Sequence, residues 1–164
     1  MLIIDPSARI SPHADVEDSI RGSRIEIGPD VIIDSFVKIK PAGGSGDLVV
    51  GRASFINSGT VIYTGNGVQI GANVLIAANC TLAATNHAYH DASRVIAKQG
   101  FLPSRGGIVI EDDVWIGANS VLLDGTIIRH GAVITAGSVV RGEIAAYAVA
   151  SGSPVSIIGY RGKK

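Results

Sequence analysis

The sequence predicts an all-β protein that winds as a parallel β-helix of about six coils, with one long external loop and a short C-terminal cap. An apolar residue recurs at every sixth position through residues 110–140. This period matches neither an α-helix, at about 3.6 residues, nor a β-strand, at about 2. Hydrophobic residues make up 46% of the 164 residues but aromatic residues only 5%, so Ile, Val, Leu and Ala must fill the core.

Eighteen six-residue units, or hexads, account for most of the chain, and three consecutive hexads are expected to form one coil. Each hexad is interpreted as a short strand and a corner, and its first residue points into a core that stacked coils share. The residue four positions later is usually small or β-branched, which lets the chain bend there. The first residues are Ile4, Ile10, Val16, Ile27, Ile33, Ile39, Val50, Ile56, Ile62, Ile70, Ile76, Leu82, Ile110, Ile116, Leu122, Ile128, Ile134 and Val140.

Glycine often follows the first residue of a hexad, and the chain contains 21 glycines in all. We expect these glycines to supply the unusual backbone angles of tight corners. The glycines concerned are Gly28, Gly51, Gly71 and Gly117.

One long segment, residues 88–109, interrupts the hexads, and we expect it to form an external loop that serves binding or assembly. The segment is polar enough to be exposed, but it contains Phe101 and Leu102, which an isolated loop does not easily bury. These two side chains pack either on their own coil or against a neighbouring subunit, and we favour the subunit because such patches mark interfaces. Residues 146–164 depart from the repeat and are expected to cap the open end of a single domain, residues 1–164.

Charge and composition exclude several classes of function. Fourteen basic residues balance fourteen acidic ones, so nothing indicates binding to nucleic acid or to an anionic membrane. A single cysteine excludes an internal disulfide framework and fits a reducing compartment. We find neither a signal peptide nor an apolar run that approaches the length of a membrane span, so we expect a cytoplasmic protein.

Candidate catalytic groups are few, and His87 is the best placed. It ends the last regular hexad before the external loop, where the chain leaves a rigid scaffold. His90 is expected either to contact substrate or to be solvated, and no metal site is expected. His13 and His130 are expected at the surface. Cys80 takes the small-residue position of its hexad, so we expect a buried and inert thiol.

The chain resembles the hexapeptide-repeat acetyltransferases, in particular the branch of galactoside, maltose and xenobiotic acetyltransferases. The resemblance rests on LIAANCTLAATNHAYH before the loop, GIVIEDDVWIGANSVLL after it and SGSP in the tail, and it covers nearly the whole chain. It implies a left-handed β-helix, whereas the general preference for right-handed parallel crossovers would favour the opposite hand. It also implies that acetyl-CoA is the donor substrate.

The resemblance implies that His87 is the general base. Imidazole suits this task near neutral pH, because it can take the proton from a hydroxyl or amine that attacks a thioester. Asn57 matches the family's active-site asparagine, which implies that it holds the donor or the acceptor beside the base. His90 is a further candidate for substrate binding.

The resemblance places the pantetheine arm of the coenzyme along the C-terminal coils, between two subunits of a homotrimer. Small side chains there let the backbone approach the arm, and Trp115 is expected to shield the reacting groups. Arg141 or Arg161 is expected to meet the phosphates, and Lys163 and Lys164 lie near in sequence. The residues implied in coenzyme binding are Trp115, Gly117, Ala118, Thr135, Ala136, Gly137, Arg141 and Arg161.

The compact form of the chain is similar to acetyltransferases of surface-polysaccharide and lipopolysaccharide biosynthesis. A hydroxyl of a sugar or sugar nucleotide is therefore the favoured acceptor, followed by a sugar amine and then by a xenobiotic. Two other interpretations stay open. One is a γ-class carbonic anhydrase, which shares the fold and binds zinc through three histidines. The other is a catalytically silent scaffold subunit built from the same solenoid.

Overall fold

The structure is a computed structural model that describes residues 1–162, which form nineteen short β-strands and one 3₁₀ turn, Ile96–Lys98. The strands stack in three columns, and strands of successive coils pair in parallel within each column. The prediction of an all-β chain of stacked parallel strands is therefore confirmed. Lys163 and Lys164, which the predicted cap includes, lie outside the described residues.

Each coil contributes one strand to each column. Column 1 contains β1 (Leu2–Ile4), β4 (Ile25–Ile27), β7 (Leu48–Val50), β10 (Val68–Ile70) and β13 (Ile108–Ile110). Column 2 contains β2 (Arg9–Ile10), β5 (Ile32–Ile33), β8 (Phe55–Ile56), β11 (Leu75–Ile76), β14 (Trp115–Ile116), β16 (Val133–Ile134) and β18 (Ala148–Ser151). Column 3 contains β3 (Asp15–Val16), β6 (Lys38–Lys40), β9 (Val61–Tyr63) and β12 (Thr81–Ala83). The longer strands that pass from column 3 into column 1 are β15 (Val121–Ile128) and β17 (Val139–Ile144).

A single core of aliphatic side chains lies between the three columns. The hexad positions from Ile27 to Val140 are at most 3% exposed, as the six-residue period predicts. They stack in register, so that Ile56, for example, pairs with Ile76 of the next coil. The prediction is wrong for Ile4, which is 42% exposed, because β1 has a neighbouring strand on one side only.

The corners use the left-handed backbone region three positions after the first residue of a hexad, not one position after it. Gly28, Gly51, Gly71 and Gly117 do not have positive φ, so the role predicted for them is wrong. A Cβ on Gly117 would lie 2.4 Å from the backbone nitrogen of Ala136, so the close approach of the next coil requires glycine there. The residues with positive φ at this position of a hexad are Asp30, Phe36, Ala53, Gly59, Asn73, Asn79, Asp113, Asn119, Gly131 and Gly137.

Chain length varies along one edge of the stack only, where the chain passes from column 3 to column 1; we call it the variable edge. The other two edges keep the six-residue spacing in the paired coils. The connections at the variable edge are residues 17–24, 41–47, 64–67 and 84–107. The predicted external loop falls in the longest of them, although Ile108 and Val109 belong to β13.

The tail continues the stack before it departs from it. β18 pairs in parallel with β16 and so extends column 2 beyond the last predicted hexad. β19 (Ser156–Tyr160) then turns back and pairs antiparallel with β18. Within residues 1–162 there is no helix of the length and apolar character needed to cross a membrane.

Candidate active site

His87 lies on the variable edge, shortly after β12, where the longest connection leaves the columns. The returning part of that connection pairs with the backbone around His87. The N–H of Leu102 donates to the carbonyl of Asn86 at 2.8 Å, and His87 forms an antiparallel bridge with Phe101. The connection is therefore fixed to the segment that carries the predicted base, while His87 itself remains exposed.

Two neighbouring histidines each pack against an aromatic ring. The ring centroids of His87 and Phe101 lie 4.7 Å apart, with the planes tilted by 33°. The centroids of Tyr89 and His90 lie 4.4 Å apart, with a tilt of 39°. Phe101 thus contacts its own chain, and its side chain is still 46% exposed.

His87 lies between two cavities and lines both. The aromatic cavity, of about 360 Å³, is lined by Ala42, Gly43, Tyr63, Ala83, Thr85, His87 and Phe101. The arginine cavity, of about 310 Å³, is lined by Asn86, His87, Tyr89, His90, Leu102, Arg105 and Arg141. Both volumes fall within the range of small-molecule sites. A side chain that borders two cavities can contact a molecule in each.

Asp124 anchors the part of the variable edge that carries Arg105, and the sequence analysis did not identify either residue. Asp124 is only 2% exposed. Its carboxylate accepts from the N–H groups of Arg105 and Gly107, both at 2.9 Å, and from Asn66 Nδ2 at 3.1 Å. Such donors are what a buried carboxylate requires. The sequence signal is an acidic residue inside the apolar run VLLDGTII.

Arg141, which lies on β17, reaches the arginine cavity from the C-terminal coils. Within residues 1–162, neither Arg105 nor Arg141 forms an ion pair with a carboxylate. Arg129 differs, because its guanidinium contacts Glu111 at 2.8 Å and Glu143 at 2.7 Å. The two cavity arginines are therefore available to an anionic ligand.

Five of the residues implied in coenzyme binding lie on a different edge, where the chain passes from column 2 to column 3. Ala136 and Gly137 are exposed there, and Ala118 is half-buried. Gly117 is buried, because the backbone of the next coil stacks on it. The five residues on this edge are Gly117, Ala118, Thr135, Ala136 and Gly137.

Asn57 lies on the same edge as those five residues, several coils earlier. Its Nδ2 donates to the carbonyl of Ile76 at 2.9 Å, so the amide stabilises the corner of the next coil. Within one chain, column 3 separates Asn57 from the variable edge that carries His87.

Trp115 and Arg161 occupy a third position, on the outer face of column 2. Trp115 is 51% exposed and lines a cavity of about 300 Å³ together with Asp113 and Arg161. Nη1 of Arg161 donates to Asp113 Oδ2 and to the carbonyl of Gly131, both at 2.9 Å. The guanidinium of Arg161 is thus already paired within its own chain.

The other candidate groups lie where the sequence predicts. Cys80 is 1% exposed, and burial raises the pKa of its thiol, which makes the thiolate scarce near neutral pH. His13 and His130 are exposed. In the described part of the chain, no three His, Cys, Asp or Glu side chains form a group that could hold a metal ion.

Two segments of the chain match known sequence families. Residues 107–142 match the family described as bacterial transferase hexapeptide (six repeats). Residues 48–84 match the family described as hexapeptide repeat of succinyl-transferase. The resemblance to hexapeptide-repeat transferases is thereby confirmed on both sides of the long connection.

Similar proteins are named as acetyltransferases or acyltransferases. A 2,3,4,5-tetrahydropyridine-2,6-dicarboxylate N-acetyltransferase of Staphylococcus aureus is 45% identical over 56 residues, which are 34% of this chain and 23% of that enzyme. A hexapeptide-repeat acetyltransferase of Vibrio cholerae, solved with acetyl coenzyme A, has a TM-score of 0.74 and 28% identity over 84% of this chain and 72% of its own.

AntD, an N-acyltransferase from Bacillus cereus, has the same fold. Its S84A mutant, solved with dTDP-4-amino-4,6-dideoxyglucose and coenzyme A, has a TM-score of 0.81 over 99% of this chain and 84% of its own. The two sequences are 22% identical, so this likeness shows the fold alone.

Proposed function

We propose that this hexapeptide-repeat chain is an acetyl-CoA-dependent acetyltransferase that moves an acetyl group to a sugar hydroxyl, with His87 as the general base. The process served is surface-polysaccharide or lipopolysaccharide biosynthesis in the cytoplasm. One observation carries the proposal: an exposed histidine borders two cavities at the edge of a hexapeptide-repeat scaffold. The solved relative with acetyl coenzyme A supports the choice of donor.

The reaction asks little of the protein, because a thioester is already activated. The imidazole of His87 takes the proton of the acceptor hydroxyl as its oxygen attacks the thioester carbonyl carbon. The carbon–sulfur bond then breaks. The protonated imidazole of His87 returns the proton to the departing sulfur, and coenzyme A leaves as a thiol. A positioned base of this kind accelerates a reaction roughly 10²–10⁴-fold. Asn57 and His90 are the further candidates for contact with the substrates.

The donor site proposed here lies along the edge that carries Ala118, Thr135, Ala136 and Gly137, beside Trp115. In one chain this edge and His87 lie on opposite sides of column 3. A site that combines them needs a second copy, whose donor edge faces the variable edge of the first. We therefore propose a homotrimer with three interfacial sites; a stable monomer by light scattering would contradict it.

The proposed function also includes a proposal for how the chain winds. We infer a left-handed β-helix of about six coils, with an external loop within the connection 84–107 and the tail as its cap, in a single domain. The hexad registers and the hexapeptide-repeat matches support this geometry.

A sugar amine is the second candidate acceptor. The S. aureus relative is named as an N-acetyltransferase, which favours an amine as the acceptor group. The same base serves both acceptors, because each must lose a proton as it attacks.

The test is thiol release from acetyl-CoA in the presence of a panel of sugars, sugar phosphates, nucleotide sugars and amino-sugars. We expect thiol release that depends on a sugar acceptor and an acetylated product by mass spectrometry. Hydrolysis of the product by mild base separates an ester, formed on a hydroxyl, from an amide. Absence of release with every acceptor would reject the proposal and favour a catalytically silent scaffold.

A further inference from the structure

We infer that the arginine cavity is a subsite for a phosphate group of the acceptor, bound by Arg105 and Arg141. The inference rests on the proposed function, because it assumes that the acceptor lies beside His87. It narrows the acceptor to phosphorylated sugars, such as sugar phosphates and nucleotide sugars.

The charge of the cavity supports an anionic ligand. Two guanidinium groups and two imidazoles line it, and none of its described lining residues carries a carboxylate. Each guanidinium presents five N–H donors in a planar fork that matches phosphate oxygens. Hydrogen bonds between ionised partners are stronger than neutral ones. An anion in this cavity therefore gains more than a neutral sugar does.

The position of Arg105 is built into the fold rather than left to a free loop. The buried carboxylate of Asp124 accepts from the N–H of Arg105 at 2.9 Å. The side chain of Arg105 also lies close to Gly125, where an added Cβ would approach the Cβ of Arg105 to 2.9 Å. A side chain with a fixed origin loses less freedom on binding, which favours a preformed subsite.

The phosphates of the donor are a poorer match to this cavity. The thioester of acetyl-CoA must lie within reach of His87, and the pantetheine arm separates the thioester from the phosphates of the same molecule. Arg105 and Arg141 line the same cavity as His87. They are therefore better placed for a phosphate of the acceptor, whose reacting hydroxyl also lies at His87.

Equilibrium binding tests the subsite without the need for turnover. The probes are glucose, glucuronate, glucose 1-phosphate and UDP-glucose. Isothermal calorimetry measures their affinities, and the ¹⁵N–¹H signals of the arginine side chains report whether the arginines contact them. We expect the phosphorylated probes to bind at least about tenfold more tightly than glucose, which corresponds to about 1.4 kcal/mol, because hydrogen bonds to charged groups are the stronger ones. Equal affinities for all four probes would overturn the inference, and a preference for glucuronate equal to that for glucose 1-phosphate would overturn the assignment to phosphate.

Substitutions test whether the preference for phosphorylated probes depends on the two arginines. Arg105→Gln and Arg141→Gln should each remove most of the preference for phosphorylated probes. Arg52→Gln is the matched control, because Arg52 is exposed on another edge and the substitution removes the same charge. A control that loses the preference equally would reject a local site.

A second titration, with coenzyme A and 3′-dephospho-coenzyme A, separates the two sources of phosphate. Unchanged affinity for both in the arginine variants supports the acceptor subsite. A selective loss of coenzyme A affinity would instead place Arg141 at the donor. Arginine-dependent binding of sugar phosphates without any acetyl transfer would leave the subsite intact and reject the proposed function. Full-rate transfer to unphosphorylated sugars alone would support the proposed function and reject the phosphate subsite.

Discussion

The two cavities that meet at His87 are built from different parts of the molecule. The aromatic cavity takes Tyr63 and Ala83 from adjacent strands of column 3, and the rest of its lining comes from connections of the variable edge. The arginine cavity takes Leu102 and Arg105 from the longest connection. The aromatic cavity therefore includes two strand residues of column 3, whereas the arginine cavity combines the longest connection with Arg141 of β17. We expect the aromatic cavity to hold the proposed base in position and the arginine cavity to select the acceptor.

The largest effect is expected where the two cavities share a residue. His87→Ala should lower the rate of acetyl transfer roughly 10²–10⁴-fold, because it removes the proposed general base. His90→Ala is the control that sharpens the comparison, since His90 lines the arginine cavity only and should matter less. The measurement is the rate of thiol release, with coenzyme A affinity by calorimetry expected to change little. Near-normal turnover in the His87 variant would reject the assignment of the base.

A substitution away from both cavities tests whether the donor binds elsewhere. Ala136→Trp adds a large ring to the exposed edge between columns 2 and 3 and should weaken coenzyme A binding at least about tenfold by steric exclusion. Arg52→Trp places the same ring on an exposed corner between columns 1 and 2, where we expect no effect. Calorimetry measures both affinities, and thermal unfolding confirms that both variants fold. Unchanged coenzyme A binding in the Ala136 variant would remove the donor from this edge.

Asp124, which anchors the arginine cavity, should affect both the stability of the protein and the local order of the backbone at Arg105. Asp124→Ala leaves the N–H groups of Arg105 and Gly107 without their partner, which should lower the free energy of unfolding by about 1–3 kcal/mol. Asp47→Ala is the control, because Asp47 also accepts a backbone N–H but is exposed. Denaturant unfolding gives the stabilities, and hydrogen exchange at Arg105 gives the local effect. Equal destabilisation by both variants would argue against a special role for Asp124.

The smallest effects on the kinetic constants are expected from the two rings that pack against the histidines, Phe101 and Tyr89. Phe101→Leu removes the ring that packs against His87 and should lower kcat by about two- to tenfold, since such ring pairs are worth about 0.5–1.5 kcal/mol. Tyr89→Leu removes the ring against His90 and should raise the KM for the acceptor instead. Steady-state kinetics at saturating acetyl-CoA separate the two parameters. Identical changes in both variants would show that the cavities do not have separate roles.

Much of the scaffold is predictable from the sequence because each coil repeats the environment of the one before it. The period alone identifies the buried positions from Ile27 to Val140. It does not give the reason for the glycines: Gly117 is required by contact with the next coil, which becomes visible only when the coils are stacked. The exposure of Ile4 likewise depends on its place in the stack rather than on its hexad.

The site is less predictable, because its contacts join residues that no period relates. His87 and Arg105 come together only through the path of the intervening connection, and Asp124 fixes that path from a later coil. The sequence does indicate His87, since it stands where the repeat stops. It does not indicate that Arg141 and Arg161 line different cavities, because each is simply an arginine followed by glycine in the C-terminal part of the chain.

The restriction of length changes to the variable edge has a consequence for insertion and deletion. The connections 41–47, 64–67 and 84–107 differ in length while the columns keep their register, so we expect length changes there to preserve the register. A single-residue change at the other two edges should instead turn a buried side chain outward. Because His87 and both cavities lie on the tolerant edge, segments of different length can be transplanted there to build new acceptor sites. The repeat then provides a constant scaffold, and the acceptor that is bound can change while the core stays the same.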